Sequence, residues 1–217
     1  MKVLVFDTET TGLWKNKFAS IKDNDNWPYI VQMAWVIFNM ETKTQTSQSY
    51  IIKLRNNMKI PEDSIKIHGI TDKDMENYGI DISIVLEKFL KDLKDATYLV
   101  AHNLAFDWKI LSVEFYRNKL YKEINMNNHK KIKYCTMKYG KELYRFRSEK
   151  TGRVVKKYPK LIQLHSLLFN DKLNNNALHD ALSDTVVCLR CFYKMLMDRD
   201  ILKEAPSIKT LCSVFIS

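Results

Sequence analysis

The chain contains 217 residues, a length that corresponds to one domain. Apolar residues make up 46% and charged residues 28%, which excludes a collagen-like or wholly disordered chain. Lysine and arginine number 35 against 25 aspartate and glutamate residues, so the formal net charge is +10. Such a charge is typical of proteins that bind a polyanion, although a genome rich in lysine and asparagine codons would give the same composition.

Neither the N-terminus nor the cysteines indicate secretion. The first apolar segment turns acidic after about five residues, too short for a signal-peptide core, and no apolar run approaches the roughly 18 residues of a membrane span. Cys188 and Cys191 form one CxxC pair without the second pair that a zinc site needs, so we expect buried thiols. These features favour an intracellular location, in the cytoplasm or with the nucleoid or nucleus.

The first part of the chain is predicted to contain mainly strands. Apolar runs predict strands at residues 2–6 and 30–38 and the end of a third at 50–54. The polar segment 15–28 predicts a loop between the first two strands.

The remainder is predicted to be mainly helical. Apolar spacing predicts helices at 83–93, 107–120 and 180–197, with a short buried strand at 98–101. A cluster of strands followed by helix, strand and helix indicates an α/β fold with a mixed sheet flanked by helices.

Two acidic segments follow predicted strands. Asp7 and Glu9 are two residues apart, which places both carboxylates on the same side of an extended chain. Such neighbours repel each other unless a cation lies between them, but they could equally cap a turn. Asp107 lies near the start of a predicted helix, after His102 and Asn103, and could also be a simple cap.

The third segment contains His179 and Asp184, with Asp180 as a competing acid. A separation of five residues corresponds to about 140° on a helix, so His179 and Asp184 can act together only if His179 precedes the helix. Alternatively, His179 and Asp180 could be ordinary helix-start residues and Asp184 a solvent-facing charge. Carboxylate oxygens suit Mg²⁺ or Mn²⁺, of which phosphoryl chemistry commonly uses two. A histidine can accept a proton from water near neutrality.

In this order the segments resemble the DEDDh (DnaQ-like) 3′–5′ exonucleases, a family that includes proofreading subunits of the DNA polymerase III epsilon type. The matching stretches are DTETTGL at 7–13, IHGIT at 67–71, HNLAFD at 102–107, KYPKLIQLHSLLFN at 157–170 and His179-x4-Asp184. The resemblance covers nearly the whole chain.

The resemblance implies an RNase H-like fold with a five-stranded sheet in the order 3-2-1-4-5. It implies a metal-dependent 3′–5′ exonuclease that hydrolyses nucleic acid, with DNA favoured, to nucleoside 5′-monophosphates. Two Mg²⁺ or Mn²⁺ ions would be bound by Asp7, Glu9, Asp107 and Asp184, with His179 as the general base. The 3′-terminal nucleotide would contact Thr10, Leu13, His102 and Phe106. His68 in IHGIT would be structural or lie at the edge of the pocket.

Two stretches are longer than the family needs, at about 14–28 and 141–160, and we interpret them as inserted loops in a single domain spanning 1–217. Trp14 and Trp27 in the first could stack on bases or anchor the loop. The second could be a solvated hairpin or a nucleic-acid contact, and its candidate phosphate contacts are Lys150, Arg153, Lys156 and Lys157.

The predicted partner is nucleic acid with a single-stranded 3′ end, without a membrane, and the family is compatible with a polymerase partner. An RNA-trimming oligoribonuclease and a catalytically idle nucleic-acid-binding module are the alternatives. The pocket's treatment of the 2′-hydroxyl would separate DNA from RNA.

Overall fold

A five-stranded mixed sheet forms the centre of the computed structural model, which describes residues 1–128, 130–147, 152–171, 173 and 180–212. Its order, β3-β2-β1-β4-β5, is the predicted one. The strands are β1 (Lys2–Thr10), β2 (Ile30–Asn39), β3 (Gln45–Ile51), β4 (Tyr98–Ala101) and β5 (Ile132–Cys135). Strand β1 runs antiparallel to β2 and parallel to β4, so the end of β1 lies beside the loop that leaves β4.

Helices cover both faces of this sheet. In the described part of the chain they are α1 (Glu62–His68), α2 (Asp72–Tyr78), α3 (Ile82–Asp95), α4 (Leu104–Arg117), α5 (Tyr121–Asn128), α6 (Thr136–Leu143), α7 (Leu161–Leu168), α8 (Ala181–Met197) and α9 (Pro206–Cys212). A separate antiparallel hairpin pairs β6 (Arg145–Arg147) with β7 (Val154–Lys156).

Strand β1 is apolar on both faces because each face is covered by helices. Leu4 and Phe6 pack into the cluster formed with α3 and α4, whereas Val3 and Val5 pack into the cluster formed with α7 and α8. Since side chains alternate along a strand, odd-numbered residues of β1 face α8 and even-numbered residues face α4. This alternation sets where the polar residues at the end of the strand point.

The main difference from the predicted elements concerns the ends of β1 and α4. Strand β1 continues four residues past Phe6, because its pairing with β2 extends through Asp7 opposite Ala34 to a register shift after Glu9. The two acids therefore lie on the strand itself. Helix α4 begins at Leu104, three residues before the predicted start, after a left-handed Asn103.

Helix α8 begins within one residue of its predicted start. Its N-cap is Asp180, which accepts a hydrogen bond from the Ser183 backbone N–H at 3.0 Å. Cys188 and Cys191 are buried free thiols, as expected. Within the described ranges, every helix is too short or too polar to span a bilayer.

The stretch at 14–28 is held by Arg117 of α4. The Arg117 guanidinium donates to the backbone carbonyls of Asn24, Trp27 and Pro28 and forms a buried ion pair with Glu114 at 2.6 Å. The Trp27 indole is buried and donates to the Ser20 carbonyl at 2.8 Å. Trp27 therefore anchors the loop, which is one of the two roles considered for it.

Candidate active site

Three carboxylates meet where β1 approaches the first turn of α8. One carboxylate oxygen from each of Asp7, Glu9 and Asp184 lies within 4.8 Å of the others. Asp7 and Glu9 face α8 because they are odd-numbered residues of β1, and Asp184 lies one turn inside that helix. The spacing of two, proposed from the sequence to put both acids on one side, has this effect here.

Asp107 approaches the same region from α4. Its side chain is 3% exposed, and the Thr8 hydroxyl donates to its Oδ1 at 2.9 Å. Thr8 faces α4 because it lies between the two acids of β1 that face α8. The strand therefore directs two carboxylates toward α8 and a hydroxyl toward the fourth acid.

Burial, together with repulsion between neighbouring carboxylates, raises the pKa values of Asp7, Glu9 and Asp107. Burial, with repulsion from Asp184 and Asp107, raises the pKa of Glu9 to about 8. Burial raises the pKa of Asp7 well above its usual range, and the neighbouring carboxylates add to this effect. Burial raises the pKa of Asp107 to about 7, against the lowering effect of the Thr8 hydrogen bond. Near neutral pH the site therefore favours bound protons or a bound cation.

The donor set fits a hard divalent cation. All three clustered ligands are carboxylates, which Mg²⁺ and Mn²⁺ prefer. A cation among them would relieve the repulsion that, together with burial, raises the pKa values of Asp7 and Glu9. Asp107 is outside this cluster but contributes to the repulsion at Asp7 and Glu9.

Asp180, the competing acid, has a different role in the structure. Its Oδ1 accepts a hydrogen bond from Gln32 Nε2 at 2.7 Å, while its Oδ2 accepts from Ser183. Gln32 Oε1 in turn accepts from the Ala181 backbone N–H at 3.0 Å. Gln32 thus joins β2 to the start of α8, one turn before Asp184.

A pocket of about 200 Å³ opens beside Glu9. It is lined by Thr10, Leu13 and Phe106, three of the four residues assigned to the terminal nucleotide, together with Ser64 and His68. Leu13 is 80% exposed, next to the positive-φ Gly12 that turns the chain after β1. Such an exposed apolar side chain beside an acidic cluster is available to a ligand. His68 lies at the pocket edge, and its Nδ1 accepts from the Ile70 N–H.

His102, the fourth of those residues, is not among the side chains lining this pocket. Its Nδ1 hydrogen-bonds with the Thr136 hydroxyl at 2.9 Å and its Nε2 with the Pro159 carbonyl at 3.1 Å. Burial lowers its pKa to about 4, so the ring is neutral and Nε2 is the donor. His102 therefore ties the end of β4 to the segment before α7.

The other predicted contacts fall on or near the hairpin. Lys156 ends β7, where it forms an ion pair with Glu142, and Arg153 and Lys157 flank this strand. Lys150 and the proposed general base His179 lie outside the described residues.

Thr8 and Gln32 are polar residues of the site that could not be assigned to it from the motifs. The alternation of β1 would have identified Thr8 as the residue facing the opposite side from Asp7 and Glu9. A glutamine within the apolar run IVQMAWVIF is the corresponding signal for Gln32, because a buried polar side chain needs a partner.

Most of the chain matches a known protein family. Residues 4–192 match the exonuclease family model RNase_T. The chain therefore belongs to this exonuclease family, and its motifs make it a DnaQ-like member.

Particular relatives agree with this placement. DNA polymerase III subunit epsilon of Pasteurella multocida (strain Pm70) is 29% identical over 124 residues, which are 57% of this chain and 43% of that protein. Exonuclease I of E. coli in complex with a dA16 oligonucleotide has a TM-score of 0.66 at 16% identity, over 91% of this chain and 42% of that one.

Exonuclease I of Methylocaldum szegediense gives a TM-score of 0.64 at 14% identity, over 91% of this chain and 41% of that one. These structural matches establish the RNase H-like exonuclease fold. The chain spans less than half the length of the relatives it matches.

Proposed function

We propose that the protein is a metal-dependent 3′–5′ exonuclease that releases nucleoside 5′-monophosphates from single-stranded DNA. The observation that carries this proposal is the cluster of Asp7, Glu9 and Asp184 beside a pocket of about 200 Å³. Carboxylates held this close favour bound cations, as do the raised pKa values of Asp7 and Glu9. The adjoining pocket can receive one terminal nucleotide.

The proposed metal site consists of Asp7, Glu9 and Asp184, with Asp107 completing the ligand set of two Mg²⁺ or Mn²⁺ ions. When bound, such ions activate water for attack on phosphorus and stabilise the charge that develops there. Thr8 holds the Asp107 carboxylate in place from the other side of β1.

The chain's own side chains position the substrate and move the proton. Thr10, Leu13 and Phe106 line the pocket and would hold the terminal sugar and base. His179 precedes α8 by two residues, so that it can accept the proton of the attacking water and release it to solvent. An unperturbed histidine pKa near 6.5 suits this role at neutral pH.

Single-stranded DNA is the first substrate to test because the structurally similar E. coli Exonuclease I has been solved with dA16 and dT13 oligonucleotides. The net charge of +10 favours a polyanion. Because the chain is similar to a DNA polymerase III epsilon subunit, a polymerase is the protein partner to test.

Digestion of end-labelled strands tests the proposal. The wild type with Mg²⁺ should shorten 5′-labelled single-stranded DNA stepwise and release labelled mononucleotide at once from a 3′-labelled strand. Asp7→Ala should abolish both. Asp95→Asn is a matched control, since this exposed acid pairs with Lys2 at the other end of β1. Faster digestion of RNA than DNA would support the oligoribonuclease alternative, and binding without cleavage under any cation would indicate an idle module.

A further inference from the structure

A second cavity, of about 430 Å³, lies on another face of the first turns of α4. Ala105 and Trp108 line this cavity, whereas Phe106 lines the nucleotide pocket. The two cavities border the same helix, whose diameter with side chains is roughly 10 Å. A strand whose 3′ end occupies the first could therefore reach the second within a few nucleotides.

Aromatic rings and lysines form this second cavity and its rim. We define the aromatic–lysine surface as Trp108, Tyr139, Tyr158, Lys133, Lys138 and Lys141. Lys133 and Lys138 are the charged side chains that line the cavity. The Lys133 ammonium lies 5.0 Å from the Trp108 ring centre, and the Lys141 ammonium lies 4.7 Å from that of Tyr158.

The surface has exposed rings on a fixed frame. Tyr139 and Tyr158 are 49% and 50% exposed. One face of the Tyr139 ring stacks on Tyr134, with 4.3 Å between the ring centres, so Tyr139 can offer only its other face to a ligand. The backbone next to Tyr158 is held by the hydrogen bond from His102 to the Pro159 carbonyl. Pro159 also packs close to Gly140, where an added Cβ would lie 3.1 Å from the proline ring. Tyr158 therefore stands on an anchored segment.

We propose that the aromatic–lysine surface binds unpaired bases of the substrate strand a few nucleotides upstream of its 3′ end. The proposal rests on the proposed function. Aromatic rings stack on any base, and neighbouring lysines neutralise the backbone phosphates. A cavity whose charged lining is lysine complements a polyanion, whereas an apolar peptide would have no use for those charges.

Binding of a fluorescein-labelled 12-nucleotide oligothymidylate, measured by anisotropy in chelator, tests the proposal. Tyr158→Ala and Tyr139→Ala should each raise the Kd about fivefold or more, the effect of removing one base–aromatic stack. Tyr158→Phe should bind like the wild type, whereas Tyr158→Leu, apolar but not aromatic, should bind like the alanine variant. Tyr78→Ala removes an exposed tyrosine outside this surface and should leave the Kd unchanged.

A scan with single abasic sites locates the contact. In the wild type, an abasic site at one or two upstream positions should weaken binding about as much as Tyr158→Ala. In Tyr158→Ala, the same abasic site should weaken binding no further, because the stack is already absent.

Three results would overturn the inference. In the first, the wild type cleaves the 12-mer but Tyr158→Ala binds it as tightly as the wild type does, which would show that the strand follows another path. In the second, Tyr158→Leu binds as tightly as the wild type, which would show that the base makes an apolar contact rather than an aromatic stack. If the wild type neither binds nor cleaves the strand, the proposed function itself fails, and this outcome is distinct from the other two.

Discussion

Gln32 and Asp180 form a 2.7 Å hydrogen bond between β2 and the first residue before α8. Gln32 lies opposite Glu9 in the β1–β2 ladder, and it also accepts from the Ala181 N–H. One side chain thus sets the start of α8 against the strand that carries two of the clustered acids. Asp184 depends on this arrangement for its distance from Asp7 and Glu9.

Replacing Gln32 with alanine should lower both stability and metal affinity. The change leaves the Ala181 N–H and the Asp180 Oδ1 without their partner Gln32, which costs about 1–3 kcal/mol for buried groups. A role confined to stability would lower Tm alone. We expect weaker Mn²⁺ binding by calorimetry as well, since Asp184 shifts. Gln48→Ala, on the neighbouring β3, should keep the wild-type affinity.

Stability without metal should fall as the pH rises from about 7.5 to 8.5. The folded-state pKa of Glu9, about 8, and that of Asp107, about 7, lie above their unfolded values. The folded state therefore binds more protons in this range, and stability decreases by up to about 1.4 kcal/mol per pH unit for each group. Burial lowers the pKa values of His68, His102 and His165 in the folded state. Since the unfolded value is near 6.5, these three histidines are mostly neutral in both states above pH 7.5 and oppose this slope only weakly.

Thermal melts in chelator measure this slope. Glu9→Gln should make the slope shallower and raise Tm at pH 8.5 by several degrees, because the variant carries no charge to bury at this position. The part of the slope due to Asp107 and to the buried thiols Cys188, Cys191 and Cys212, whose pKa values burial raises, should remain. Added Mn²⁺ should also flatten the wild-type curve. A wild type whose Tm rises from pH 7.5 to 8.5 in chelator would contradict the account of crowded carboxylates.

The basic hairpin should contribute charge rather than specificity. Neutralising Lys150, Arg153, Lys156 and Lys157 together should weaken binding to every single strand alike. The slope of log K against log salt should become shallower, by about 0.7 for each phosphate that the variant no longer neutralises. Because Lys156 already pairs with Glu142, we expect Lys156 to contribute least to the binding of phosphates. An unchanged salt slope would show that the hairpin is merely solvated.

His179→Ala should separate catalysis from binding. Removal of a general base typically costs a factor of about 10²–10⁴ in turnover. Mn²⁺ and single-strand affinities should stay near wild type because His179 is not a proposed ligand. The wild-type rate should rise with pH through the histidine range, and the variant should not show that limb. His129→Ala, outside all of the motif segments, is the matched histidine control. If His179→Ala keeps the wild-type rate and pH profile, another group accepts the proton of the attacking water.

The sequence was sufficient for the parts of the fold that depend on runs and motifs. The family resemblance implied the sheet order and the meeting of Asp7, Glu9 and Asp184. Strand alternation alone placed Asp7 and Glu9 on the same side of the chain. The boundary of β1 did not, because ladder pairing with β2 carries the strand through two acids that local polarity marks as its end. Strand β5 was missed because its pairing with β4, rather than an apolar run in the sequence IKYC, defines it.

The polar contacts that organise the site could not be predicted from local patterns. Thr8 and Asp107 are 99 residues apart, and Gln32 and Asp180 are 148 apart, so only the assembled sheet brings them together. His102 shows the converse. Its motif position predicted a nucleotide contact, which stays a prediction, but did not indicate that the packing of β4 against the segment before α7 engages both ring nitrogens.

The most direct test of the carboxylate metal site is Mn²⁺ titration followed by single-strand cleavage on the same samples. We expect the wild type and Asp95→Asn to bind Mn²⁺ and to cleave the strand, and Asp184→Asn to do neither. Excess chelator should stop cleavage completely. Ca²⁺ should compete for the site but support little turnover, because its coordination is looser. Undiminished cleavage in excess chelator, or wild-type Mn²⁺ affinity in Asp184→Asn, would contradict a carboxylate metal site at Asp7, Glu9 and Asp184.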